Sequence, residues 1–159
     1  MKQNNTAVID FLLQQGKKAK SKELSTPMEK AEEYRNAIGQ CRRILAEADS
    51  SRVNPSIDIR GLKDSQNIYY PDTFVAIKEL PKKLIVIGNG EEAGKFADAY
   101  RDFGTTVTLL NHQSGISHAS VYDTTAGVTL TYTDNKDGLP YFMEADAIIV
   151  AAISTHPLQ

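Results

Sequence analysis

Cysteine is almost absent from this chain of 159 residues, in which Cys41 is the single example. One thiol excludes an internal disulfide, a redox-active cysteine pair and any metal site built from two or more cysteines. An excess of one charge is also missing, because 18 basic and 20 acidic residues leave a formal net charge of -2. Nucleic-acid-binding domains usually carry a clear basic excess, so this balance predicts no nucleic-acid partner.

Long hydrophobic runs are missing as well, and no stretch approaches the roughly 20 apolar residues that span a bilayer. The first residues carry no long apolar segment followed by a cleavage site, which is the pattern of a secretory leader. We therefore expect no membrane contact and a cytoplasmic protein. The length suits one moderate domain, or one small domain with an added helical segment.

Residues 84–110 carry the strongest pattern in the chain. Residues 84–87 form a short apolar run rich in β-branched side chains, which is typical of a strand buried on both faces. After a glycine turn, apolar residues recur at helical spacing as far as Phe103, and Gly104 suits the end of a helix. Residues 106–110 then predict a second strand. The order of these elements predicts a βαβ unit.

The glycine turn itself has the pattern Gly88-x-Gly90-x-x-Ala93, in which Asn89, Glu91 and Glu92 fill the variable positions. In such a turn the first glycine permits the tight bend, and the second lets a pyrophosphate approach the backbone. The small third residue allows the helix to pack closely on the strand. The turn therefore predicts a dinucleotide site in a small, Rossmann-like parallel sheet.

Two helices are predicted ahead of this unit. The first is a short amphipathic helix that lies within residues 4–20 and ends near Gly16, and the second begins at a capping box, Thr26-Pro27-Met28-Glu29. Four lysines follow the predicted end of the first helix: Lys17, Lys18, Lys20 and Lys22. Such a group is more typical of a solvated surface than of a patch that binds nucleic acid. The second helix carries an apolar seam at spacings of three and four: Ala31, Tyr34, Ile38, Cys41, Leu45 and Ala48.

This seam fits either a hairpin with the first helix or a homodimer contact through the N-terminal helices. Cys41 lies on the seam, which favours a small buried apolar side chain over a nucleophile. The polar stretch from 49 to 55 then predicts a boundary between a helical segment, 1–50, and a Rossmann-like domain, 55–159.

Weaker patterns complete the chain. Asp72 or Thr73 could cap a short helix over residues 74–77, and residues 128–132 and 141–143 predict a β-hairpin. The turn of the hairpin contains three possible calcium ligands without the glutamate of a calcium loop, which favours a plain turn: Asp134, Asn135 and Asp137. Residues 146–153 suit another strand. The histidines fall in predicted loops without the spacing of metal ligands; they are His112, His118 and His156. We therefore expect no metal site and no catalytic residue.

Several segments resemble the NAD(P)H-binding domain of pyridine nucleotide-disulfide oxidoreductases, flavoenzymes such as dihydrolipoamide dehydrogenase, glutathione reductase and mercuric reductase. The segments are Ile59-Arg60-Gly61-Leu62, Asn67-Ile68-Tyr69, Lys78-Glu79-Leu80-Pro81-Lys82, Ile85-Val86-Ile87-Gly88-Asn89-Gly90, Phe96-Ala97, Phe103-Gly104, Val107-Thr108-Leu109 and Glu144-Ala145-Asp146-Ala147-Ile148-Ile149-Val150-Ala151. The resemblance implies an α/β fold, a parallel sheet covered by a small antiparallel layer, and NAD or NADH as the cofactor.

Departures from the family pattern change what the resemblance implies. The chain has no redox cysteine pair and no second glycine turn for a flavin, and residues 111–128 are fewer than in the family. Where the family has Ala-Thr-Gly near the flavin, this chain has Ala151-Ala152-Ile153. We therefore expect no bound flavin, and an NAD(P)H-dependent oxidoreductase only together with a flavoprotein or other redox partner.

The predicted nucleotide site also has unusual charges. Glu91 and Glu92 stabilise the first turn of a helix, but they repel a pyrophosphate that seeks the same turn. At roughly 6 Å this repulsion costs about 1–3 kcal/mol, depending on the local dielectric. Asn111 stands where an acidic residue would hold the adenine ribose, and His112 could approach a 2′-phosphate, although no arginine follows.

Two functions remain open from the sequence. The first is an NAD(P)-binding domain related to flavin-dependent disulfide oxidoreductases, which the preserved glycines favour. The second is a non-enzymatic interaction or regulatory module that kept the Rossmann scaffold and lost nucleotide binding, which Glu91 and Glu92 favour. Fold alone does not distinguish them, because function depends on the site.

Overall fold

The structure is a computed structural model, and it describes residues 6–21, 26–46, 59–61, 64–71, 73–88, 90–110 and 116–151. The helices are α1 (Thr6–Ser21), α2 (Pro27–Ala46) and α3 (Glu91–Phe103). The strands are β1 (Ile59–Arg60), β2 (Ile68–Tyr69), β3 (Lys83–Ile87), β4 (Thr106–Leu110), β5 (Ile116–Thr124), β6 (Gly127–Asp134), β7 (Pro140–Ala145) and β8 (Ala147–Val150).

The start of α2 confirms the capping box. The Thr26 backbone N–H donates to the Glu29 carboxylate at 2.9 Å, and the Glu29 N–H donates to the Thr26 hydroxyl at 3.1 Å. The predicted end of the first helix is wrong, because α1 continues through Gly16 to Ser21. Gly16 is buried against α3, and a Cβ at this position would lie 2.9 Å from the Ala99 carbonyl oxygen. The glycine therefore permits a close helix contact instead of ending the helix.

The predicted βαβ unit supplies β3 and the edge strand β4 of a four-stranded parallel sheet in the order β2-β8-β3-β4. Strand β3 pairs with β4 on one side and with β8 on the other, and all of these pairs are parallel. Between Leu84 and Ile87 every residue of β3 is buried, as is every residue of β8. The continuous apolar run thus reflects a strand covered on both faces. The strand predicted over 146–153 is confirmed over the shorter range of β8, Ala147–Val150, and residues 152 and 153 lie outside the described residues.

The short helix predicted over 74–77 is reduced to a single 3₁₀ turn, Phe74–Ala76. Thr73 does not cap this turn with its side chain. Its hydroxyl instead accepts a hydrogen bond from the Tyr70 N–H at 2.8 Å. Asp72, the other candidate cap, lies outside the described residues.

The second sheet has the order β1-β5-β6-β7, in which β5, β6 and β7 are antiparallel and β1 runs parallel to β5. The predicted hairpin is confirmed as β6 and β7, but the sequence analysis missed β5. His118, expected in a loop, lies in β5 at a register shift and has a positive φ of 54°. A local shift of this kind interrupts the alternation by which a strand is usually predicted.

The described residues form three layers. One face of the parallel sheet, which includes Leu84, Val86 and Ile149, packs on the helices. The other face includes Ile85, Ile87 and Ile148, and it packs on Val121, Val128, Leu130 and other apolar residues of the second sheet. Because successive strand residues point to opposite faces, β3 and β8 contribute to both cores.

The N-terminal helices share the helix-side core with α3. Tyr34, Ile38 and Cys41 of the predicted seam are buried there together with Phe96 and Tyr100 of α3. The seam therefore meets more of this chain than the first helix alone. Residues 47–58 and Ala48 of the seam lie outside the described residues, and the division into 1–50 and 55–159 stays a prediction.

Candidate nucleotide site

The glycine turn lies at the carboxyl edge of the parallel sheet, directly after β3. The chain leaves β3 through α3 to β4 on one side, and it later returns as β8 on the other side. Hydrogen bonds continue past the strand ends, from the Gly88 N–H to the Leu110 carbonyl and from the Ala151 N–H to the Ile87 carbonyl, both at 2.9 Å. A reversal of strand order at the carboxyl edge is where open α/β sheets bind ligands.

Helix α3 begins directly at the turn. Gly90 is its N-cap residue, with extended backbone angles (φ -106°, ψ -179°) and no side chain to occupy the first turn. Ala93 is 1% exposed, so the third position of the motif packs into the core, as the pattern predicts. The backbone N–H groups of this first turn are the groups that a phosphate would contact.

Glu91 and Glu92 lie in that first turn of α3. The Lys95 ammonium lies 3.9 Å from a Glu91 carboxylate oxygen, one helical turn further along. It lies closer to Asp10 of α1, to which it donates a hydrogen bond at 2.8 Å. This hydrogen bond to Asp10 is the main cause of the raised pKa of Lys95, with smaller contributions from Glu91 and Glu92.

Asp10 is the part of the site that the sequence analysis missed. It is 85 positions away from Lys95, and no motif connects the two residues. Helices α1 and α3 run side by side in the same direction, since Asp10 contacts Lys95 while Lys20 contacts Asp102. The start of α1 therefore lies beside the start of α3, which explains how an N-terminal carboxylate reaches this edge.

The structure brings together Gly88, Gly90, Glu91, Glu92 and Ala93 of the predicted site. The other predicted residues lie outside the described residues: Asn89, Asn111 and His112. The site is thus defined by the ends of β3 and β4, the glycine turn and the first turns of α3.

The remaining candidates have structural roles. Cys41 is fully buried, and burial raises the pKa of its thiol to about 12, so almost no thiolate exists near neutral pH. The carboxylates of the β6–β7 turn bind backbone, as Asp134 accepts from the Lys136 N–H and Asp137 from the Leu139 N–H. Within the described part of the chain, no group of three or more potential ligands could hold a metal ion.

None of the helices that the structure describes combines the length and the hydropathy needed to cross a membrane.

No protein-family model matches this chain. One stretch of 54 residues is similar to dihydrolipoyl dehydrogenase of Bacillus subtilis (strain 168), with 37% identity. That stretch is 34% of this chain and 12% of the relative. The sequence likeness is therefore confined to a short part of a much longer protein.

Solved structures extend the likeness to most of the fold. The HOCl-induced flavoprotein disulfide reductase RclA from Escherichia coli aligns with 90% of this chain and 45% of its own, with a TM-score of 0.63 and 12% identity. Its Cu(II) complex aligns with 65% of this chain and 28% of its own, with a TM-score of 0.51 and 16% identity. The chain spans less than half of these proteins. The resemblance to pyridine nucleotide-disulfide oxidoreductases is thus confirmed at the level of the fold.

Proposed function

We propose that this chain binds a nicotinamide dinucleotide, NAD or NADH, at the glycine turn between β3 and α3. The observation that carries the proposal is the place of this turn, at the carboxyl edge of the parallel sheet where the strand order reverses. Gly90 leaves the first turn of α3 open to a phosphate, and Ala93 packs the helix closely on the sheet.

The chemistry would be completed by a partner. The relatives are a dehydrogenase and a flavoprotein disulfide reductase, and both are far longer than the part that this chain matches. A disulfide reductase needs a redox thiol, whereas Cys41 is buried with a raised pKa. We therefore assign the flavin and the redox thiols to a separate flavoprotein or redox partner, and we expect the purified chain to lack flavin.

Charge at the first turn of α3 makes the proposed affinity weak. Glu91 and Glu92 place negative charge where the pyrophosphate would lie. Lys95 offsets part of this charge, because it is 3.9 Å from Glu91, but Asp10 adds another carboxylate at 2.8 Å from the same ammonium. Lys95 is thus shared between the carboxylates of Asp10 and Glu91.

The same cluster favours a second candidate function. A non-enzymatic interaction or regulatory module could keep the three-layer scaffold without a ligand at the glycine turn. The specific observation is the hydrogen bond from Lys95 to Asp10, because it directs the Lys95 ammonium toward α1. On this alternative, Gly88 and Gly90 serve only the tight connection from β3 to α3.

Titration calorimetry with NADH distinguishes the two functions. If the glycine turn binds NADH, Glu91→Gln/Glu92→Gln should bind roughly tenfold or more tightly than the wild type at low salt. Added salt should improve binding by the wild type, because screening weakens the repulsion between carboxylates and pyrophosphate.

Glu32→Gln is the matched control, because Glu32 is exposed on α2 and outside the turn. Its affinity for NADH should equal that of the wild type. No detectable binding by the wild type and the double variant at millimolar NADH would overturn the nucleotide proposal and favour the interaction module.

A further inference from the structure

A pocket of about 360 Å³ lies at the amino edge of the parallel sheet, opposite the glycine turn. It is enclosed by the first turns of α2, the residues before β3 and the end of α3. Its lining residues are Pro27, Lys30, Ala31, Leu80, Pro81, Lys82, Phe103 and Gly104. The volume is at the lower end of the range for small-molecule sites.

The walls of the pocket are apolar and held by the core. Phe103 is 1% exposed and packs its ring edge-on against Tyr34, with ring centres 5.5 Å apart. Pro81 is fixed from behind, because the buried Thr105 hydroxyl donates to its carbonyl oxygen at 2.8 Å. Gly104 ends α3 with a positive φ of 108°, and as a glycine it adds no side chain to the lining. Core packing and hydrogen bonding thus hold the walls of the cavity in place.

Both charged residues that line the pocket are cations. Lys30 and Lys82 have no ion-pair partner within 4 Å among the described residues, and no acidic residue is part of the lining. Two lysines beside a largely apolar cavity match a ligand that has an apolar body and a negative head group.

The neighbouring carboxylates are engaged elsewhere. Glu29 accepts from the Thr26 N–H in the capping box, and Glu79 pairs with Arg35 at 3.1 Å. Asp146 accepts from the backbone N–H groups of Lys82 and Lys83, and its carboxylate forms no ion pair with the Lys82 ammonium within 4 Å.

The end of α3 has its own hydrogen-bond partners. The Gly104 N–H donates to the Arg101 carbonyl and the Thr105 N–H to the Tyr100 carbonyl, both at 2.9 Å. Neither of these carbonyls needs a lysine to satisfy it.

We propose that this pocket binds a small organic acid, with the apolar body between Ala31, Leu80 and Phe103 and the carboxylate between Lys30 and Lys82. The site lies at the opposite edge of the sheet from the glycine turn, so the proposal is independent of nucleotide binding. Its ligand would enter between the start of α2 and the residues before β3.

Phenylacetate and 2-phenylethanol form a matched pair of probes, because both carry a benzyl group and only phenylacetate carries a charge. In an NMR titration of the full chain, phenylacetate should shift the backbone amides of Ala31, Phe103 and Gly104 in a saturable manner. Lys30→Gln/Lys82→Gln should weaken this binding roughly threefold to tenfold at low salt, and 2-phenylethanol should bind both proteins equally weakly.

Lys136→Gln is the control, since Lys136 is an exposed lysine in the turn after β6. It should leave phenylacetate binding unchanged. Ala31→Leu, a good helix former in the wall of the pocket, should reduce binding without removing either charge. The proposal is overturned if the amides of the pocket do not shift, if 2-phenylethanol binds as tightly as phenylacetate, or if the double lysine variant binds like the wild type.

Discussion

The hydroxyl groups of Tyr34 and Tyr100 lie 2.8 Å apart in the core, where they connect α2 to the helix that follows the glycine turn. The Tyr34 hydroxyl donates its proton to the Ile77 carbonyl oxygen at 2.6 Å. Because a phenol has one proton, Tyr100 must be the donor to Tyr34. Burial is the main cause of the raised pKa of each tyrosine, so both stay neutral and keep this direction of hydrogen bonding.

Removing the Tyr34 hydroxyl should destabilise the fold. Tyr34→Phe leaves the buried Tyr100 hydroxyl without its acceptor and the Ile77 carbonyl without its donor. We expect the free energy of unfolding to fall by about 1–3 kcal/mol in urea denaturation. Tyr122→Phe is the control, because Tyr122 is 53% exposed, and equal midpoints for the two variants would contradict the prediction.

Two glycines in the N-terminal helices should respond in opposite directions to alanine. Gly39→Ala has no atom within 4 Å of the new Cβ, and we expect stabilisation by about 0.5–1 kcal/mol from the better helix propensity. In Gly16→Ala the new Cβ would meet the Ala99 carbonyl oxygen at 2.9 Å, and we expect a loss of about 1–3 kcal/mol. Urea denaturation of both variants measures the effect. Stabilisation by Gly16→Ala would show that α1 does not pack on α3 in this way.

Because of Cys41, the free energy of unfolding should fall as the pH rises past the ordinary pKa of a thiol. Its pKa rises from 9.0 to about 12 in the folded state, chiefly through burial. Between these values the unfolded chain releases the thiol proton while the folded chain keeps it, so rising pH favours unfolding. Between pH 7 and 10, the wild type should lose about 1 kcal/mol more of its free energy of unfolding than Cys41→Ala. Parallel pH profiles for the two proteins would contradict the buried position of Cys41.

Association of the chain remains a prediction. The seam that suggested a homodimer is covered within the chain at Tyr34, Ile38 and Cys41, so a dimer through the N-terminal helices would have to use their outer faces. Met28 is the most exposed large apolar residue there, at 77%. Sedimentation of the wild type and Met28→Lys should show a dimer that the substitution weakens. A monomer at every concentration would refute this dimer.

The sequence alone determined the elements whose patterns are local. A capping box, a continuous apolar run and a glycine turn each act within a few residues, so α2, β3 and the βαβ unit were predictable. The same holds for Glu91 and Glu92, whose place in the first turn of α3 follows from the spacing to Gly90. Strand β5 was not predicted, because the register shift at His118 interrupts the alternation of its side chains.

Only the tertiary structure decided which distant residues meet. Gly16 has the sequence character of a helix end, but its contact with Ala99 places it inside α1. Asp10 joins the glycine turn because α1 lies along α3, and Lys30 and Lys82 share a pocket because α2 begins beside β3. These contacts depend on how whole helices pack on the sheet, and helix packing depends on the shapes of both surfaces. A single stretch of sequence carries one of those surfaces and not the other.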